Sequence, residues 1–282
     1  MKKIVLIFTL FITVTVTAAA QLDSIVPTRF VTSSTSVGVG HVNILDTYLS
    51  PLNYTGTEVR YINEKMHLTN MMHGNVSAQR LLQVNLSYSS NPTEDNNAFA
   101  GLVNFAYALH YQFHVNDNLK FLVGPAAEMN LGFVYNLNNG NNPASAKLYA
   151  NLSASGMAIY KFNVGRKQWV ARYQLCLPMI GLMFSPHYGE SYYEIFTLHH
   201  NSNLVHFTTY ADQPSERQMV TLDIPVSNIK LRLSYVCDIQ QSNIDKIKTH
   251  TWSNLFMIGL VRDFYVLSPG VHQHLSERYK AY

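Results

Sequence analysis

In the stretch AFAGLVNFAYALHYQFHVNDNLKFLVGPAAEMNLGFVY, residues 98–135, apolar and polar side chains alternate on both sides of a short polar break. In its first half Phe99, Val103, Phe105, Tyr107, Leu109, Tyr111 and Phe113 fall at odd positions, and Ala100, Asn104, Ala106, Ala108, His110, Gln112 and His114 at even ones. After Asn116, Asp117 and Asn118, Leu119, Phe121, Val123, Met129, Leu131, Phe133 and Tyr135 oppose Lys120, Glu128 and Asn130. A period of two is the signature of a β-strand, whose successive side chains leave opposite faces. The runs outlast the strand of about six residues usual in globular sheets. One face suits lipid and the other water.

The same alternation recurs outward in both directions. Leu82, Val84, Leu86 and Tyr88 oppose Gln83, Asn85 and Ser87; Trp169, Tyr173, Leu175 and Leu177 oppose Arg172, Gln174 and Cys176; Leu231, Leu233 and Tyr235 oppose Lys230, Arg232, Ser234 and Asp238. Residues 56–67 carry Glu58, Arg60, Asn63 and Glu64 with imperfect parity. Gly38 and Gly40 suit a strongly curved wall, and Pro178 predicts an edge or a bulge. Cys176 and Cys237 fall on opposite faces, so no disulfide is expected between them.

Met1-Lys2-Lys3, an apolar run from Ile4 to Val16 and Ala18-Ala19-Ala20 have the layout of a cleaved secretory signal. No later segment is an apolar run long enough for a spanning helix, so a chain with lipid-facing strands must close them into a barrel. Charged residues are 13% and aromatics 12%, against about a quarter charged in soluble domains. The net charge of +3 includes two lysines of the signal, and so modest a balance excludes a global field for nucleic acid. The expected architecture is all-β: an antiparallel transmembrane β-barrel of about 10–12 strands, with residues 1–20 as signal peptide, 21–267 as barrel and 268–282 as a short periplasmic tail.

Residues 116–118, 164–167 and 227–228 read as short periplasmic turns, and 89–97, 136–145 and 240–250 as longer outer loops. Residues 43–54 read as a connection. Counting gives ten strands if 185–217 is one outer excursion and twelve if residues 191–198 and 204–210 are strands that cross. The length of the mature chain favours twelve.

Four stretches together carry a resemblance: VGVGHVNILDTYLSPLNYTG at 37–56, LKFLVGPAAEMNLGFVYNLNNGNNPA at 119–144, PMIGLMFSPHYGESYYEIF at 178–196 and CDIQQSNIDKIKTHTWSNLFMIGLVRDF at 237–264. They resemble an uncharacterised family of secreted Bacteroidetes envelope proteins, a domain of unknown function, over nearly the whole mature chain. The resemblance implies location and fold and carries over no catalytic residue.

His200-Asn201-Ser202-Asn203 is similar to the His-x-Ser-Asn stretch of outer-membrane phospholipases and lipid A deacylases. At that spacing on a strand a histidine base and a serine nucleophile leave one face. A third group must orient the imidazole; Asp212 and Glu216 are the candidates, and Pro214 stands where the family has its orienter. The competing explanation is chance in a chain rich in asparagine, serine and histidine. A lipid-cleaving site also needs the ten-strand count, because twelve strands turn His200 and Ser202 towards the periplasm. His187, Glu190, His199, His200 and His206 cluster without the spacing of a metal site, so neither metal nor cofactor is expected. Lys120, Glu128, Lys147, Arg172, Lys230, Arg232 and Asp238 point inward, where such charges pair and fill a narrow barrel more readily than they conduct.

The expectation is therefore an outer-membrane barrel of a Gram-negative bacterium, structural or interaction-bearing, with a lipid esterase or a small pore as alternatives. Its partners would be outer-membrane lipid and the barrel-assembly machinery, which reads an aromatic-rich last strand such as residues 257–264, and not nucleic acid.

Overall fold

The period-two segments pair edge to edge until no edge is left. A computed structural model describes residues 28–140, 142–198, 202–227 and 229–267. The expected signal and tail lie outside the described residues. The strands are β1 (Thr28–Asp46), β2 (Ser50–Leu68), β3 (Val76–Ser90), β4 (Asn97–His114), β5 (Leu119–Asn136), β6 (Ala144–Val164), β7 (Lys167–Phe184), β8 (Val205–Thr209), β9 (Glu216–Val226), β10 (Ile229–Ile244) and β11 (Ile247–Leu267), with one helical turn, α1 (Tyr192–Phe196), before β8. All pairings are antiparallel. β1 pairs with β2 on one side and with β11 on the other from Thr28↔Leu267 to Asp46↔Thr249, which closes the barrel.

Ten strands form the closed wall, not the twelve that chain length favoured. Residues 191–198 hold α1 rather than a strand: Ser191 Oγ accepts the Glu194 amide while the Glu194 carboxylate accepts the Ser191 amide, a capping box. β8 is a real strand but only five residues long, too short to cross, and it pairs with the far part of β7. Below it the chain makes a wide bulge at 210–215 and resumes against β7 as β9. Pro178 marks the matching irregularity in β7: the register against β6 shifts between Leu152 and Ser153, leaving Met179 as the extra residue.

Two expected connections are strand instead. β1 and β2 run on to Asp46 and from Ser50, and β10 and β11 meet across Asp245 and Lys246, both at positive φ, in place of a loop at 240–250. Where a barrel strand continues beyond its apolar belt both faces meet water, and composition no longer separates it from a loop. The short connections after β4, β6 and β9 lie where expected, at the end that also holds the start of β1 and the end of β11. The opposite, far end carries the residue 185–215 excursion.

Inside and outside follow the alternation. Phe105, Phe113, Val123, Phe133, Val59, Leu86 and Phe256 point outward and are exposed, Phe256 by 75%. Outward aromatics gather towards both ends: Tyr111 against Phe113 and Phe162 against Trp169 near the termini, Phe99 against Phe133 and His250 against Trp252 at the far end. In β2 the parity is regular, with Glu58, Arg60, Ile62 and Glu64 inward and Val59 and Tyr61 outward. Cys176 is buried, Cys237 is half-buried, and both are free thiols.

Candidate functional site

Inward polar residues from strands up to five places apart round the wall meet in the lumen because the barrel is narrow. Arg60 bonds Glu58 at 2.7 Å and Asp238 at 2.6 Å. Glu64 receives Arg172 at 2.7 and 2.8 Å and Arg232 at 2.7 Å. Arg232 also grips both oxygens of Asp223 at 2.6 and 2.8 Å, and Arg217 holds Glu128. Apolar layers bracket these pairs. Met66, Leu122, Met157, Ile159 and Val170 pack together towards the termini, and Val42, Ile44, Tyr54, Ala98 and Val134 pack at the far end.

The far end is covered by the excursion, which is tied down at several points. Tyr48 Oη donates to the Glu190 carbonyl at 2.7 Å, the Ala146 amide donates to Tyr192 Oη at 2.6 Å, and the Tyr48 and Tyr192 rings meet edge to face at 5.6 Å. Burial raises the Tyr48 phenol and pushes that of Tyr192 up to about 12. His187 Nδ1 bonds the Asp245 carboxylate in the β10–β11 turn, and Nε2 bonds the Ser202 carbonyl at 3.0 Å. With acceptors on both nitrogens the ring is best matched as imidazolium, and its pKa is raised, first by Asp245 and then by that carbonyl.

The described hydrolase candidates are Ser202, Asp212 and Glu216. His200 lies outside the described residues. The Ser202 side chain is exposed in a turn. Asp212 accepts the amide and hydroxyl of Thr209 at 2.9 and 2.8 Å, bonds that lower its pKa, and Glu216 accepts from Gln218 at 2.8 Å. No hydrogen bond joins Ser202, Asp212 and Glu216 among the described residues. A histidine does meet a serine elsewhere: His110 Nε2 lies 2.9 Å from Ser155 Oγ, but the ring is fully buried and its Nδ1 has no hydrogen-bond partner. Without access or an orienting carboxylate that pair is core polarity. Among the described residues no three metal-ligating side chains come together.

Of the inward charges expected from the sequence, Lys120, Glu128, Arg172, Arg232 and Asp238 are buried, while Lys147 bonds Asp46 and Lys230 bonds Asp263, each towards an end. Glu58, Arg60 and Glu64 belong with them, and the alternation of β2 was the signal for it.

A family model described as a protein of unknown function, DUF3316, matches residues 4–270. The chain belongs to the DUF3316 family. Among solved structures, this DUF3316 barrel is similar to the transport unit of the autotransporter AIDA-I from Escherichia coli, at 10% identity and TM-score 0.43, covering 87% of this chain and 92% of that one. It is also similar to the outer membrane protease OmpT from Escherichia coli, at 6% identity and TM-score 0.44, covering 83% and 97%. A third likeness is the COG4313 outer membrane channel from Pseudomonas putida F1, at 8% identity and TM-score 0.34, covering 85% and 96%. Comparison of the DUF3316 chain with curated proteins finds no match.

Proposed function

We propose that this chain is an outer-membrane barrel with a sealed lumen, non-enzymatic, which presents the 185–215 excursion to the outside as its interaction surface. The observation that carries the reading is the filled interior: arginine–carboxylate pairs lie between apolar layers at both ends. An ion crossing that interior would have to displace buried, mutually satisfied charges.

The membrane part rests on the outward face. Large apolar side chains all round a closed wall are unfavourable in water, where a monomer rarely exposes more than a few hundred Å² of contiguous apolar surface. In lipid they are at home, and the two aromatic zones match the girdles of such barrels. The resemblance to Bacteroidetes envelope proteins supports a Gram-negative outer membrane, with the termini and short turns on the periplasmic side. Outer-membrane lipid and the barrel-assembly machinery are the partners this placement implies.

Ten strands put the excursion at the end a lipid-cleaving site would require, so topology does not argue against hydrolysis. What favours the inert reading is that Asp212 is engaged by Thr209 and Glu216 by Gln218. The test is membrane-impermeant thiol labelling of Ser202→Cys in a Cys237→Ser background on intact cells, paired with a fatty-acid release assay on purified wild type. Labelling from outside and no release are expected. Labelling only after the outer membrane is broken would overturn the placement, and release that depends on Ser202 would overturn the non-enzymatic reading.

A further inference from the structure

Arg262 interrupts the apolar outward face of β11. Phe256, Ile258 and Leu260 precede it on that face and Phe264 follows, all exposed, and Arg262 is exposed with them. The register carries the interruption round the wall, because Ser33 of β1 is the partner of Arg262 on one side and of Lys65 on the other. Lys65 is exposed on the same face of β2 as Val59 and Tyr61. Arg262, Ser33 and Lys65 thus form one outward row over three neighbouring strands, the cations about 10 Å apart at the backbone with the serine hydroxyl between them. On β3 the row goes on to Arg80, whose guanidinium stands 6.0 Å from the centre of the Tyr107 ring.

None of the three side chains makes a hydrogen bond or ion pair among the described residues. The carboxylates that adjoin them in sequence are engaged elsewhere. Glu64 is held in the lumen by Arg172 and Arg232, and Asp263 accepts from Thr32 at 2.8 Å and from Lys230 at 2.8 Å. The row lies near the terminal end of its strands, with Arg262 five residues before Leu267, Ser33 five after Thr28 and Lys65 three before Leu68. That is the level of the terminal aromatic zone to which Phe264 belongs. A cation facing lipid is costly at the bilayer midplane and nearly free at this depth, where headgroups begin.

We propose that Arg262, Ser33 and Lys65 form a binding site for the phosphate of an anionic phospholipid in the leaflet at the terminal end of the barrel. The arginine offers a planar fork to two phosphate oxygens, the lysine a second positive charge, and the serine hydroxyl a further donor. The acyl chains then run along Leu260, Ile258 and Val37, the exposed apolar wall above the row. That wall is what a lipid uses and a soluble anion does not. A zwitterionic headgroup would bring its own ammonium beside two cations, so a net negative one is selected. The proposal deepens the membrane reading and rests on it; with the termini periplasmic, the leaflet is the periplasmic one.

Full-length protein carrying Phe264→Trp, with Trp169→Phe and Trp252→Phe so that a single tryptophan reports, is refolded into bilayers of phosphatidylcholine with rising phosphatidylglycerol, one or the other brominated on its acyl chains. Quenching is expected to show phosphatidylglycerol favoured at position 264 by about fivefold or more, the effect of a single cation near a charged surface being already of that size. Tyr61→Trp in the same background, on the face of Lys65, is a second reporter. Arg262→Gln combined with Lys65→Gln removes the preference in protein that keeps heat-modifiable gel migration, and Lys167→Gln, at the same end but five strands from β2, leaves it. Equal quenching by the two lipids, a preference kept in the double variant, or one lost equally with Lys167→Gln overturns the site. Loss of the preference to inorganic phosphate at constant ionic strength assigns the row to a soluble anion and overturns the lipid assignment. Absence of quenching by either lipid would instead bring down the lipid-facing wall, the reading on which the site rests.

Discussion

Arg232 sits where three carboxylate oxygens and a hydroxyl converge: both oxygens of Asp223, Glu64 Oε2 at 2.7 Å and Ser34 Oγ at 2.8 Å. Truncating it removes the ion pair of the buried Asp223, whereas Glu64 keeps Arg172. Arg232→Ala is expected to lower the unfolding free energy by about 3–5 kcal/mol, the usual consequence of breaking a buried pair from one side, read by urea titration of refolded protein. Lys230 and Asp263 form a chemically similar pair at 2.8 Å, but with side chains 28% and 26% exposed. Lys230→Ala should therefore change stability by only about 0–1 kcal/mol. Equal losses at the two positions would remove the distinction drawn between interior and rim. At the far end, His187 sets a pH dependence. Its folded pKa is raised above the unperturbed value, so its contribution is fully present below about 6.5 and fades as pH rises through the higher folded value. A spin label at Ser202 should gain mobility between mildly acidic and alkaline pH in wild type and show little pH response in Asp245→Asn. Glu190 also raises the His187 pKa, so Glu190→Gln should move the transition slightly towards lower pH.

The closing seam depends on β11 lying close against β1. A Cβ at Gly259 would fall 2.1 Å from Ser36 Oγ and 2.6 Å from the Thr35 carbonyl, so Gly259→Leu should impair closure, seen as loss of the heat-modifiable band. Phe264, outward and near the terminal aromatic zone, should matter less for the closed form than for recognition by the assembly machinery. If Gly259→Leu closed normally, the tight seam would not be a constraint on folding. Elements of this kind were legible where a bilayer imposes alternation: β3, β4, β5, β10 and β7 up to its irregularity at Met179 follow the apolar pattern. They were illegible where the strands enter water. At Ile244 and Ile247 only two inward side chains, 6% and 4% exposed, keep the hairpin in register, and everything between and around them is polar. The α1 turn was misread for the opposite reason: Tyr192, Tyr193, Ile195 and Phe196 are apolar enough to mimic a strand, and the deciding signal was Ser191 and Glu194 at capping-box spacing. The far-end tie could not be read at all, since His187 and Asp245 are 58 residues apart and nothing local pairs them. The His-x-Ser spacing was legible, but its histidine, His200, lies outside the described residues.

At the scale of the whole molecule, the charges read as inward and pairing are the ground for the proposed sealed lumen. Arg172 on β7 meets Glu64 on β2, five strands away round the ten-strand wall, and Arg60 on β2 meets Asp238 on β10, three strands away, so side chains from distant parts of the wall are fastened to each other. Apolar packing of Met66, Leu122, Met157, Ile159 and Val170 follows below, and the excursion lies above. The sealed interior is tested most directly by single-channel recording of the refolded full-length chain in a planar bilayer, at about 1 M KCl. A lumen filled in this way gives a membrane that stays at baseline under sustained voltage of either sign. Reproducible discrete conductance steps in wild type, lost or altered when Arg232 or Arg60 is substituted, would contradict it.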